Sequence, residues 1–196
     1  MSIDEKIKNA VLVGIQLPKV TVQELDGSLQ ELTRLVTTLG YHVVGQVTQR
    51  RGSDRSSSVL GAGKLNELAE WTGGTGKIAS MVEHKLSKAA EKWQQEKISA
   101  EEENTEEEID QSVLPEDKKG TAQIVIVDTD LSPSQLRNLE SATGVTVLDR
   151  TGVIIEIFSR HARTKAARLQ VEIAKLTYMA PRLRETGGGE DRQGGK

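Results

Sequence analysis

Residues 10–15, Ala-Val-Leu-Val-Gly-Ile, form an apolar run with no polar alternation. A strand wet on one face alternates, whereas a strand covered on both faces reads as continuous apolar sequence. The run therefore predicts a central strand of a parallel sheet, and the chain must supply helices for both faces. Thr21 and Glu24 have the spacing of a capping box. Leu25, Leu29, Leu32, Val36 and Leu39 then recur at helical spacing, and Gly40 supplies the C′ position. Residues 41–48 read as a second strand, far enough along for a right-handed parallel crossover.

Beyond the Ser/Arg-rich stretch 52–58, residues 60–65 (Leu-Gly-Ala-Gly-Lys-Leu) open a short helix that reaches Trp71. The α/β pattern resumes at residues 123–128. Ser132 is placed to cap a helix with Pro133 at N1 and Gln135 at N3, Gly144 to end it, and residues 145–149 to form another strand. Residues 1–152 thus predict an α/β unit, a small parallel sheet of about four strands flanked by helices. Such sheets bind ligands at the carboxyl ends of their strands. Between about 72 and 120 the composition changes to a Gly-rich turn, a Lys/Glu/Ala-rich stretch over 81–97 and an acidic run over 101–110. This segment predicts a charged, solvated insertion, helical or disordered.

The final segment has a different period. Ala162, Ala166, Leu169, Ile173, Leu176, Ala180 and Leu183 step by four and three in alternation, the 3.5-residue seam of a paired helix. Residues 153–184 therefore predict one long helix of coiled-coil type, with Pro181 near its end to kink or stop it. Residues 185–196 form a Gly-rich loop. From Ser159 to Arg184 the bases Arg160, Arg163, Lys165, Arg168, Lys175, Arg182 and Arg184 face a lone acid, Glu172. A solvated face ordinarily mixes signs, so this bias favours a polyanion partner.

Composition removes several classes of chemistry. With no Cys, thiolate catalysis, Cys-ligated zinc and iron–sulfur clusters are excluded, and three scattered His do not make a metal cage. Five aromatic residues are too few for a base-stacking platform, so nucleic acid would be met through Arg, Lys and backbone amides. The net charge of −3 conceals an acidic middle and a basic end: nine acids and two bases over 99–120, ten bases and five acids over 150–196. No apolar run approaches the roughly 20 residues of a membrane span, and the first residues carry no basic, then apolar, leader. A soluble, cytoplasmic protein is expected.

Two stretches approximate a phosphate-binding P-loop, Gly followed by four residues and Gly-Lys-Ser/Thr. For Gly63-Lys64 the first Gly falls at Ser58 and the hydroxyl at Leu65; for Gly76-Lys77 those positions are Trp71 and Ile78. Each fails twice. Gly61, Gly63 and Lys64 could still place amides and an ammonium near an anion at a helix N-terminus, or form a tight turn needing small residues. Asp128 and Asp130, after a buried strand, could hold a metal or ribose, or be a solvated strand end beside the Ser132 cap. Asp149-Arg150-Thr151 reads as a local ion pair or turn. No catalytic residue and no metal site is assigned.

These segments together resemble the N-terminal region of the HflX family of ribosome-associated GTPases. The resemblance is carried by residues 11–18 (Val-Leu-Val-Gly-Ile-Gln-Leu-Pro), 44–51 (Val-Gly-Gln-Val-Thr-Gln-Arg-Arg) and Gly61-Ala62-Gly63-Lys64. It continues through residues 131–140, 147–152, 162–166, 169–172 and Pro181-Arg182-Leu183-Arg184, in order, with residues from about 72 to 120 outside the pattern. The resemblance implies an α/β subdomain, a two-helix coiled hairpin and a GTP-binding domain, in a factor that binds the large ribosomal subunit and splits or rescues ribosomes. It implies that the long helix is the first hairpin arm and that the seam partner, the GTPase motifs and sites for GTP and Mg lie outside this sequence. It also implies that Arg160, Arg163, Lys165, Arg168, Arg182, Arg184, Gly187, Gly188, Gly189, Arg192, Gly194 and Gly195 meet ribosomal RNA. Two other functions stay open on the residues alone. One is a nucleotide-binding α/β module using Gly61, Gly63, Lys64 and Asp128; the other is a stand-alone protein whose seam pairs with itself.

Overall fold

A computed structural model of the chain describes residues 8–53, 59–78 and 118–187. The expected insertion helix over 81–97, the acidic run over 101–110 and loop residues 188–196 lie outside the described residues. The observed elements are β1 (Lys8–Gln16), α1 (Val22–Thr38), β2 (Tyr41–Arg50), α2 (Ala62–Thr72), β3 (Ile124–Val127), α3 (Pro133–Thr143), β4 (Thr146–Asp149), α4 (Arg150–His161) and α5 (Lys165–Gly187). The sheet is parallel throughout, in the order β2-β1-β3-β4. The α/β fold and the four-stranded sheet are as the apolar runs predict.

Both faces of β1 are covered. Val11, Val13 and Ile15 join Val125, Val127 and Val147 beneath α2 and α3, with Leu68, Trp71 and Leu139 packed on them. Ala10, Leu12, Ile124 and Ile126 face the other way, against Leu25, Leu29, Leu32 and Val36 of α1 and Val153 of α4. Each fully buried Leu or Val here contributes about 1.5–3 kcal/mol of transfer free energy. The capping boxes form as read: Thr21 with Glu24, and Ser132 with Gln135. Gly40 and Gly144 take the left-handed conformation that ends α1 and α3.

A shift of register between Ala10 and Val11 places Gly45 of β2 opposite Val11. A Cβ at Gly45 would run into the Trp71 ring, so the glycine is what lets α2 seat its indole on the sheet. Gly74 is equally confined, because a Cβ there would meet the backbone of Ala142 and Thr143.

The long helix predicted over 153–184 is two helices. The α4 helix starts earlier, at Arg150, and ends at His161. Ala162 adopts an extended conformation as its C-cap, and Thr164 caps the next helix by accepting a hydrogen bond from the Ala167 amide at 3.1 Å. The 3.5-residue seam crosses this elbow without recording it, because a period in side chains does not report a backbone break. The α5 helix folds back to pack on α4 and α3. It continues through Pro181 to Gly187 instead of stopping at the proline.

Candidate functional site

Two strands deliver polar residues to the carboxyl edge of the sheet, where a parallel α/β fold binds ligands. Asp128 follows β3, and Asp149 and Arg150 join β4 to α4. Arg150 binds Glu31 at 2.7 Å and Asp128 at 2.8 Å, and also donates to the Ser28 hydroxyl at 3.1 Å. The Glu31 hydrogen bond is the main reason its guanidinium is held above its ordinary pKa, with Asp128 adding to it. Thr151 donates to Asp130 at 2.7 Å. Asp128 is thus neither a solvated strand end nor a free ligand; it is the buried half of an ion pair that ties the switch point of the sheet to α1.

Asp149 lies on the opposite side of that loop and is 1% exposed. Its carboxylate accepts four hydrogen bonds, from the Gly152 amide (2.8 Å), the Leu131 amide (3.2 Å), the Tyr178 hydroxyl (2.6 Å) and Arg182 Nη2 (2.9 Å). The Arg182 guanidinium stacks on the Tyr178 ring at 3.4 Å, and its Nη1 donates to the Tyr178 carbonyl. Burial, followed by the Asp149 hydrogen bond, pushes the Tyr178 phenol well above its usual range. Of the two readings of Asp149-Arg150-Thr151, an ion pair or a turn, the ion pair is absent and Asp149 instead caps α4 through the Gly152 amide. Both charged residues pair with distant elements, in opposite directions.

The residues expected to meet RNA divide by position. Arg182 is turned inward on Asp149, with its side chain 15% exposed, so the expectation of a free phosphate contact fails there. Arg160 donates to the Leu39 carbonyl at 2.6 Å and approaches Glu156 at 3.5 Å, bracing the end of α1. Arg168 Nε donates to the Ala162 carbonyl at 3.2 Å, across the elbow. Arg163 and Lys165 are exposed, and neither enters an ion pair among the described residues. Gly187 ends α5. Gly188, Gly189, Arg192, Gly194 and Gly195 lie outside the described residues.

The possible anion site at the start of α2 is engaged from within. Gly61 is the N-cap, its amide donates to the Gln49 side chain at 2.7 Å, and a Cβ there would strike Gln49 Nε2. Lys64 is paired with Glu67 at 2.7 Å. Gly63 is a helical residue with open space beside it. With Lys64 held by Glu67 and Asp128 held by Arg150, these residues do not fit a nucleotide phosphate or its magnesium. Among the described residues no cluster of His, Asp or Glu could hold a metal ion.

The apolar seam of α5 points away from the rest of the molecule: Leu169, Ile173, Leu176 and Leu183 are each more than half exposed. The face that packs on α4 is a different one, marked by Arg168, Val171, Lys175, Tyr178 and Arg182, with Lys175 Nζ 3.8 Å from Glu156. No helix among the described residues is long and apolar enough to cross a membrane.

A family model described as GTP-binding GTPase N-terminal matches residues 26–101 and 103–159, and one described as GTP-binding GTPase Middle Region matches 161–196. The GTPase HflX of Gluconacetobacter diazotrophicus is 54% identical over 95% of this chain and 39% of its own length. The chain belongs to the HflX family of GTPases. The GTPase HflX of Alkalihalophilus pseudofirmus is 32% identical over 96% of the chain and 34% of its own length. The HflX chain thus spans between a third and two fifths of the length of these two curated relatives. A GTP-binding protein of the archaeon Sulfolobus solfataricus, solved in complex with GDP, has the same fold with a TM-score of 0.53. That match is 20% identical and covers 92% of this chain and 39% of the archaeal one. The boundary between the two family models, residues 159–161, falls at the end of α4, beside the elbow. The N-terminal model also runs across residues 72–120 with a break only at 102, so that stretch lies within the family's matched span.

Proposed function

We propose that this HflX chain is the region that docks on the large ribosomal subunit, in a cytoplasmic GTPase that splits or rescues ribosomes. The observation that carries the reading is α5: an exposed helix with bases in excess over acids and an apolar stripe that nothing among the described residues covers. Phosphates attract such a surface at long range, and released counterions make the attraction steeply salt-dependent. The contacts assigned to RNA are Arg163, Lys165 and Arg168 at the elbow and Arg184, the glycines and Arg192 at the far end; Arg160 and Arg182 are structural. GTP and Mg belong, in this reading, to the part of the family's length that the chain does not span.

The test uses the natural full-length gene product and purified large subunits. Arg163→Glu with Lys165→Glu should weaken binding and flatten the dependence of log K on log salt by roughly 0.7–0.9 per lost phosphate contact. Unchanged affinity and slope would remove these residues from the interface. The exposed stripe of Leu169, Ile173, Leu176 and Leu183 also fits a second helix, from the same chain or another copy. Sedimentation across a hundredfold concentration range separates the two, since only pairing between copies depends on concentration.

A further inference from the structure

We infer that Asp149, Tyr178 and Arg182 form a latch that sets the angle of α5 on the sheet layer, and that opening it lets α5 swing about the elbow at Ala162–Thr164. Between α4 and α5 the chain has three residues, and Arg168 Nε donates to the Ala162 carbonyl across the break. The apolar stripe of α5 lies on its outer side and contributes nothing to holding it down. The inner side is polar along much of its length: Lys175 meets Glu156 at a loose 3.8 Å, whereas at Tyr178 and Arg182 the contacts are short and buried. One carboxylate at the end of β4 thus holds the helix nearly four turns beyond the elbow, where its leverage on the direction of α5 is large.

The geometry of the three side chains is that of a detachable contact. Asp149 keeps two backbone donors of its own, the Gly152 and Leu131 amides, so the carboxylate stays anchored when α5 leaves. Tyr178 and Arg182 are one helical turn apart on α5 and depart together, with the guanidinium already stacked on the ring. Arg182 Nε is buried with no hydrogen-bond partner, so the closed state holds a donor that water would satisfy on opening. Gly152 completes the fit, since a Cβ there would lie 2.7 Å from the Tyr178 hydroxyl. This inference does not depend on the ribosome reading.

The experiment is a distance measurement between spin labels. This sequence has no Cys, so Gln30→Cys on α1 and Ala174→Cys on α5, both exposed, can be labelled selectively in the full-length protein once any Cys outside these residues is replaced by Ser. Ala174 is ten residues past Thr164, about 15 Å along the helix, so a 30° swing moves it by about 8 Å. Asp149→Asn keeps an oxygen for the Gly152 amide, replaces the one that accepts from Leu131 and Arg182 with an NH2 group, and removes the charge that holds Arg182. It should move or broaden the distance distribution by several ångströms while the amides of residues 11–13 and 125–127 stay protected from exchange. Tyr178→Phe, which leaves Asp149 and both its amide donors intact, should give a smaller change in the same direction and decides the matter if Asp149→Asn does not fold. A distribution unchanged in the variants that fold would overturn the latch and leave the cluster as a stabilising contact alone.

Discussion

Replacing Arg182 by Ala separates a structural arginine from an RNA-binding one. The substitution removes a guanidinium whose side chain is 15% exposed and leaves the Asp149 carboxylate, 2% exposed, without its counter-charge. Breaking a buried pair by deleting one partner costs about 3–5 kcal/mol, because the remaining charge is stranded. Asp149 retains the Gly152 and Leu131 amides and the Tyr178 hydroxyl, and hydrogen bonds to a charged group are worth about 1.5–3 kcal/mol each. The loss therefore falls at the low end, about 3 kcal/mol. For a protein of this size that is a fall in Tm of roughly 6–12 °C. Urea unfolding should show a lower midpoint with an unchanged slope, and the loss should persist at 0.5 M NaCl because a buried pair is poorly screened. Arg163→Ala, on an exposed side chain, should stay within about 0.5 kcal/mol of the parent. If Arg182→Ala were as stable as Arg163→Ala, the Asp149 cluster would not hold α5 and the inward placement of Arg182 would be wrong.

Other outcomes follow from single contacts. Gly74→Ala places a methyl against the backbone of Ala142 and Thr143, which no rotamer change relieves; it should cost about 1–3 kcal/mol by chemical denaturation. Thr21→Ala removes the side chain that caps α1 and, with Glu24, closes its capping box, and should cost about 1 kcal/mol in the same assay. The Tyr178 phenol has a raised pKa in the folded protein, so its contribution is complete below the unfolded tyrosine value of about 10 and is lost as pH rises through the folded value. Stability should fall as pH climbs above about 10, and Tyr178→Phe should remove that part of the decline.

The parallel sheet was legible because its evidence is local and redundant. The run at residues 10–15, the capping boxes at Thr21 and Ser132 and the glycines at 40 and 144 each report one element, and they agree. The break at Ala162–Thr164 was not, although Thr164 with a helix starting at Lys165 is an ordinary cap; the stronger heptad signal ran over it. The pairing of Asp149 with Arg182, 33 positions along the chain, has no sequence signature at all. A buried carboxylate and a strand-end carboxylate are written with the same letter, and only the fold of α5 against α4 distinguishes them. Of the two outcomes that Pro181 allows, a kink or a stop, the stop does not occur. The proline's missing N–H removes one bond from the helix but does not stop a helix that Arg182 pins immediately afterwards.

Counting bases overstates the field that a polyanion would feel. Seven bases against one acid over residues 159–184 describe the composition, yet Arg160 braces Leu39, Arg168 spans the elbow, Lys175 faces Glu156 and Arg182 neutralises Asp149. Glu156 and Asp149, which answer Lys175 and Arg182, lie before that stretch and are invisible to a count taken within it. The charge left outward on described side chains is concentrated at Arg163, Lys165 and the exposed Arg168, all at the elbow. Three phosphates contacted there correspond to a salt slope of roughly 2.1–2.7, which attracts without holding. A steeper measured slope in the full-length protein would therefore assign the difference to residues beyond the elbow, with Arg184 and Arg192 the first to be charge-reversed.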